Sequence, residues 1–202
     1  MNRTAADSRR ILAATGNPDK LREIRRVLIG TSWEVVGLNE VPAYPEPIED
    51  AETLAENALI KAREGFRRTG LLTLADDTGL ETDALNGRPG VWSARYAGPN
   101  ATYEDNVKLL LEELADVPAE RRTARFRTVM ALVGADVERT WEGVAEGVIL
   151  AEKQGANGFG YDPVFWSPEL GRTFAEAGLD EKNEVSHRGR ALRLLAAELE
   201  KL

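Results

Sequence analysis

Short apolar runs alternate with amphipathic helical patterns from one end of this chain to the other, an order that calls for an α/β or mixed α+β architecture. ILAAT (11–15) reads as a strand. GNPDK then turns into a helix that buries Leu21, Ile24, Val27 and Leu28 along one stripe, with Asn17 as N-cap and Pro18 at the first position. A Pro-rich acidic loop (41–50) leads to a second helix over 52–68. LLTLA (71–75) is the next strand, and the stretch from Asp76 to Gly98 reads as a long Gly-rich loop. A third helix starts near Thr102, where Asp105 completes a capping box. Residues 124–150 read as two long strands joined by a turn at 134–138, and their antiparallel pairing makes the sheet mixed. A second Gly-rich loop, QGANGFGYDP (154–163), precedes EKNEVSHRG and a final helix from Gly189 to Leu199. The expectation is one domain over residues 1–202, with residues 1–9 a disordered tail.

Charge and composition narrow the partners. The net charge is −8, from 26 basic and 34 acidic side chains, the wrong sign for a surface that neutralises long nucleic acid. A small polyanion can still bind where cations cluster and a metal bridges the phosphates. No apolar run approaches the roughly 20 residues of a membrane helix, and no signal-peptide core follows the N-terminus, so the cytoplasm is the expected compartment. There is no cysteine and one histidine, His187, which excludes metal sites built on Cys or His. Any ion must sit on oxygen ligands, which favours Mg²⁺, Mn²⁺ or Ca²⁺.

Four segments carry candidate chemistry. ATGNPDK is a strand end that turns into a helix N-terminus, where backbone N–H groups, the Thr15 and Asn17 side chains and Lys20 suit a phosphate chain. It matches neither G-x-x-x-x-G-K-[ST] nor G-x-G-x-x-G, and an ordinary tight turn has the same composition. LADDTG places Asp76 and Asp77 at a strand end beside Thr78. Neighbours in an extended chain face opposite ways, so one of the two carboxylates can face a site, to hold Mg²⁺ or take a proton from water. GANGFGYDP offers Phe159 and Tyr161 for stacking on a flat base and Asp162 as an acceptor, unless both rings are tucked into the core. EKNEVSHRGRAL gathers Lys182, Ser186, His187 and Arg188 before a helix, and Arg recognises carbonyl and phosphate oxygens through its planar fork. No G-x-S-x-G elbow supports a serine nucleophile. Most of the acids in PEPIEDAETLAENALIKA belong to a solvated helix start, and one of them could be a second metal ligand.

In this order the segments T-G-N-x-x-K, E-N-A-x-x-K-A, A-D-D-[ST]-G-L with G-x-P-G-x-x-S-A-R-Y, G-F-G-Y-D-P and E-K-x-x-x-S-H-R-G resemble the inosine/xanthosine triphosphate pyrophosphatase family over nearly the whole chain. The resemblance implies a long mixed sheet with two lobes around a nucleotide-binding cleft, usually in a homodimer. The implied reaction is Mg²⁺-dependent hydrolysis of ITP, dITP or XTP at the α–β phosphate bond, which cleanses the nucleotide pool and gives a monophosphate and pyrophosphate. It assigns Thr15, Gly16, Asn17, Pro18, Asp19 and Lys20 to the triphosphate, and Asp77 to general-base and metal-ligand roles, with Thr78 touching substrate. Phe159, Gly160, Tyr161 and Asp162 would enclose the base, Lys182 would reach phosphate or base, and His187 with Arg188 would read the 6-oxo group. Where related bacterial proteins read E-E-T-G-x-T-F, this chain reads Glu49-Asp50-Ala51-Glu52-Thr53-Leu54, and spacing selects Glu49 as the assisting metal ligand. Thr78 stands where Ser is commoner and keeps the hydroxyl. A sensor that binds nucleotide without cleaving it could use the same loops but has no need of Asp77.

Overall fold

A computed structural model describes residues 9–202; Met1–Ser8, and with them most of the expected tail, lie outside the described residues, while Arg9 opens the first strand. The strands are β1 (Arg9–Ala13), β2 (Trp33–Gly37), β3 (Leu72–Thr82), β4 (Pro89–Gly90), β5 (Thr123–Val133), β6 (Glu138–Ile149), β7 (Phe165–Ser167) and β8 (Arg172–Thr173). The helices are α1 (Pro18–Leu28), α2 (Leu54–Thr69), α3 (Tyr103–Glu113), α4 (Leu179–Val185) and α5 (His187–Leu199). The eight strands form one sheet in the order β2-β1-β3-β5-β6-β7-β8, with β4 on β3. β1 pairs parallel with β2 and β3, whereas β3–β4, β6–β7 and β7–β8 are antiparallel, so the sheet is mixed as the sequence implies.

The described residues divide into two compact units, each discontinuous in sequence. Unit 1 holds the chain up to Asp77 with Val129–Glu142 and Ala191–Leu202; unit 2 holds Thr78–Thr128 and Gly143–Arg190. The core of unit 1 packs Ile11, Ile24, Leu28, Leu74, Met130 and Leu132 with Leu192, Leu195 and Leu199 of α5. Those α5 positions recur at helical spacing and line one stripe. The indole N–H of Trp33 donates to Leu199 O at 3.1 Å and ties the end of α5 down. Unit 2 buries Leu80, Val107, Leu110, Leu114 and Ile149 around Phe126, Phe165 and Phe174, whose rings lie 4.6–6.0 Å apart.

Three differences from the sequence reading bear on function. β3 does not stop at Ala75 but runs on through Asp76–Thr82, where a loop was expected. A Cβ on Gly79 would lie 2.7 Å from Gly90 O, so this glycine marks the close approach of β4 and not a turn. The EKNEV segment is the helix α4, at whose start Gly178 N donates to the Glu181 carboxylate at 2.9 Å, and α5 begins at His187 rather than Gly189. The short strands β2, β7 and β8 carry too few residues to show a period.

Candidate functional site

Unit 1 builds an acid-rich constellation between α1, α2 and β3. Asn17 caps α1, as its position before Pro18 implies, and its Oδ1 accepts from Asp19 N at 2.9 Å and Lys20 N at 3.4 Å. The cap takes amides that the sequence had offered to phosphate, which leaves the Thr15–Gly16 turn, the dipole of α1 and the Lys20 ammonium, itself paired with Asp76, as the positive features at this end of the helix. Thr15 Oγ1 accepts from Asn17 N at 3.2 Å and stiffens that turn. A pocket of about 210 Å³ adjoins it, lined by Ala14, Gly16, Leu38, Tyr44, Glu46, Pro47 and Lys61.

Asp76 and Asp77 are separated by the β pleat, and their surroundings differ accordingly. Asp76 is 1% exposed, and its Oδ2 lies 3.1 Å from Lys20 Nζ. Asp77 is half-buried; its Oδ2 accepts from Asn57 Nδ2 at 3.2 Å, and its Oδ1 lies 3.7 Å from Lys61 Nζ. The same ammonium pairs with Glu49 Oε2 at 2.6 Å. Burial pushes the Asp77 carboxyl above the ordinary aspartate range; Lys61 and Lys20 pull it down, and Glu49 and Asp76 push it further up. Burial acts to lower Lys61, but Asp77, Asp76 and Glu49 outweigh it and hold the ammonium above the ordinary lysine range.

No group of three or more His, Cys, Asp or Glu side chains stands ready for a metal among the described residues. The donors present fit a hard divalent cation nonetheless. They are carboxylate oxygens, Asp77 and Glu49 share one ammonium, and the burial that raises Asp77, with a smaller push from Glu49 and Asp76, is a cost that an added cation offsets. Asp77 and Glu49 are the side chains that could hold such a cation.

Unit 2 builds a second constellation from aromatic rings and cations. Arg188 Nη2 donates to Thr78 Oγ1 at 2.9 Å, and Thr78 shares a 2.5 Å hydroxyl contact with Thr128. Lys182 Nζ pairs with Asp162 Oδ2 at 2.5 Å, both side chains nearly fully buried. That oxygen also accepts from Phe159 N at 2.9 Å, so Asp162, expected as an acceptor for a base or sugar, instead fixes the Phe159 backbone. Lys182 Nζ lies 4.9 Å and Arg188 Cζ 5.6 Å from the Phe159 ring centroid. Tyr161 joins the core and donates its hydroxyl to Ser93 O at 2.9 Å, which leaves Phe159 as the partly exposed ring of that loop. His187 is 2% exposed, stacked on Phe126 at 4.5 Å, so its ring is anchored in the aromatic core. Gly158 has φ +74°, and a Cβ there would lie 2.1 Å from Asp162 Oδ2, which explains why the loop needs glycine at that point.

Sequence reasoning gave Asn57, Lys61 and Ser93 no role. Asn57 and Lys61 stand four apart on α2, so the E-N-A-x-x-K spacing was the signal for a shared helix face. Ser93, which accepts from Leu80 N at 2.8 Å, stands in the S-A-R-Y run, but the motif gave no hint of its backbone partner.

Residues 11–198 match the Ham1 family. The dITP/XTP pyrophosphatase of Geobacter sulfurreducens is 51% identical over 92% of this chain and 94% of its own length, and that of Corynebacterium efficiens is 47% identical over 96% and 98%. Among solved structures, a HAM1 protein from Coxiella burnetii superposes with a TM-score of 0.86 at 41% identity, covering 96% of this chain and 100% of that one. A nucleoside-triphosphatase / dITP/XTP pyrophosphatase from Mycobacterium abscessus gives 0.73 at 49% identity, covering 92% and 98%. With the match spanning nearly all of its described length, this chain is a member of the Ham1 family.

Proposed function

We propose that this chain is a dITP/XTP pyrophosphatase, working over its whole length as one domain that converts ITP, dITP or XTP to the monophosphate and pyrophosphate. The relatives' names support the substrate class. The observation that carries the reaction is Asp77, a carboxylate raised by burial and held between Asn57 and Lys61. A nucleotide sensor has no use for such a group.

The triphosphate brings about four negative charges, which Lys20, Lys61, the Thr15–Lys20 turn and the dipole of α1 offset. Mg²⁺, with Mn²⁺ as a substitute, supplies when bound a Lewis acid that neutralises phosphate oxygens. Asp77 orients a water and takes its proton as the oxygen attacks the α-phosphorus; the α–β bond breaks, pyrophosphate leaves, and the proton passes on to solvent. Phe159 and Gly160 face the base, Thr78 touches the substrate, and Lys182, His187 and Arg188 favour a 6-oxo edge over the 6-amino group of adenine. The protein acts in the cytoplasm as a homodimer, on small nucleotides and not on nucleic acid or membranes.

Purified protein should release pyrophosphate in step with monophosphate from ITP. One unmatched donor costs ~1–3 kcal/mol, so kcat/KM for ITP and XTP should exceed that for ATP by roughly 10–100-fold. Arg188→Ala should narrow that gap. Release of inosine diphosphate and phosphate would overturn the proposed bond, and equal losses on ITP, XTP, GTP and ATP would make Arg188 a phosphate contact.

A further inference from the structure

Asn57 stands one turn before Lys61 on α2, with its side chain buried to 1% exposure. Its Oδ1 accepts from Ala51 N at 3.1 Å, and its Nδ2 donates to Ala51 O at 3.4 Å and to Asp77 Oδ2 at 3.2 Å. One planar amide thus closes on the backbone just beyond Glu49 and reaches Asp77 as well. Lys61 makes a parallel bridge with charge, from Glu49 Oε2 to the other oxygen of Asp77. An ammonium is a rotatable point charge and leaves the plane of a carboxylate loosely set. A fixed amide hydrogen on one oxygen sets it.

We infer that Asn57 is a positioning residue that holds the Asp77 carboxylate and the Glu49–Ala51 segment in one fixed relation, ready for a divalent cation and for the attacking water. The inference rests on the roles proposed above for Asp77 and Glu49. Partners of metal ligands typically change affinity or activity by about 10–100-fold when removed.

The test uses the intact chain. Mn²⁺ binding to nucleotide-free protein is followed by electron paramagnetic resonance, alongside ITP turnover at saturating Mn²⁺ and thermal unfolding. Asn57→Ala should weaken Mn²⁺ about tenfold and lower kcat by about 10–100-fold, with KM for ITP within about threefold. Asn57→Asp keeps the shape and the acceptor for Ala51 N but turns the donor facing Asp77 into an acceptor; it should lose kcat likewise, and it serves if the alanine variant melts. Either variant, folded and with kcat within about twofold of wild type, overturns the inference, as does a loss that only tracks the unfolded fraction. If wild type releases no pyrophosphate from ITP, the proposed function fails instead, and the Mn²⁺ measurement still judges Asn57.

Discussion

The two constellations differ in the sign of their excess charge. In unit 1, Asp76, Asp77 and Glu49 face Lys20 and Lys61, three carboxylates against two ammonium groups. In unit 2, Asp162 is matched by Lys182, and Arg188 adds a further cation beside the neutral Thr78 hydroxyl and the Phe159 ring. An acid excess favours an incoming cation. A basic excess set among aromatic rings calls for a flat ligand rich in acceptors. On the proposed function, the first constellation would serve charge that changes during the reaction, and the second shape and hydrogen-bond polarity that do not.

If that contrast holds, lesions in the two units should fail differently. Asp77→Asn should lower kcat by ~10²–10⁴-fold and leave the fold intact. The sign of its effect on stability sharpens the point. Because the folded-state value of Asp77 lies above the ordinary one, its contribution is fully present when protonated and is lost as pH rises through the raised value. In metal-free neutral buffer the variant should therefore melt higher than wild type, and the difference should vanish in acid, below the ordinary aspartate range; differential scanning calorimetry across pH measures both. In unit 2 the order reverses. Lys182→Met leaves Asp162 buried without its ammonium, and breaking such a pair costs about 3–5 kcal/mol, which urea unfolding would register as a lower midpoint. A variant as stable as wild type would mean that the pair is not structural. The smallest effect belongs to Gly158→Ala. It meets a positive φ and a contact with Asp162 Oδ2, and a loss of about 1–3 kcal/mol is expected, with weaker discrimination between ITP and ATP and little change in turnover of ITP at saturation.

How much of this was legible in the residues depended on the range of the cause. Asn17 and Thr102 were read correctly as caps because a cap is a local bargain between one side chain and amides two or three residues on. The mixed sheet followed from strand spacing and the 134–138 turn, which closes through Gly134 N to Val137 O at 2.8 Å. The extension of β3 was missed because Asp-Asp-Thr-Gly has turn composition, whereas tertiary partners, Lys20 for Asp76 and the β4 backbone for Gly79, hold it extended. The contacts Lys182–Asp162 and Arg188–Thr78 join residues 20 and 110 positions apart, a relation no local pattern encodes. Which segments deserve attention could be read from motif order. Which side chain holds which could not.

Unit 1 has a consequence for biosynthesis. Its hydrophobic interior needs Leu192, Leu195 and Leu199, yet its other walls, around Ile11, Ile24 and Leu74, are made more than a hundred residues earlier. On a ribosome the early strands therefore emerge with an apolar face that nothing yet covers, and that face stays open until residues 191–202 have been translated and released from the exit tunnel. Nascent chains stalled before α5 should be caught by chaperones that bind exposed apolar segments, and a fragment ending at Arg190 should aggregate instead of folding around an intact unit 2.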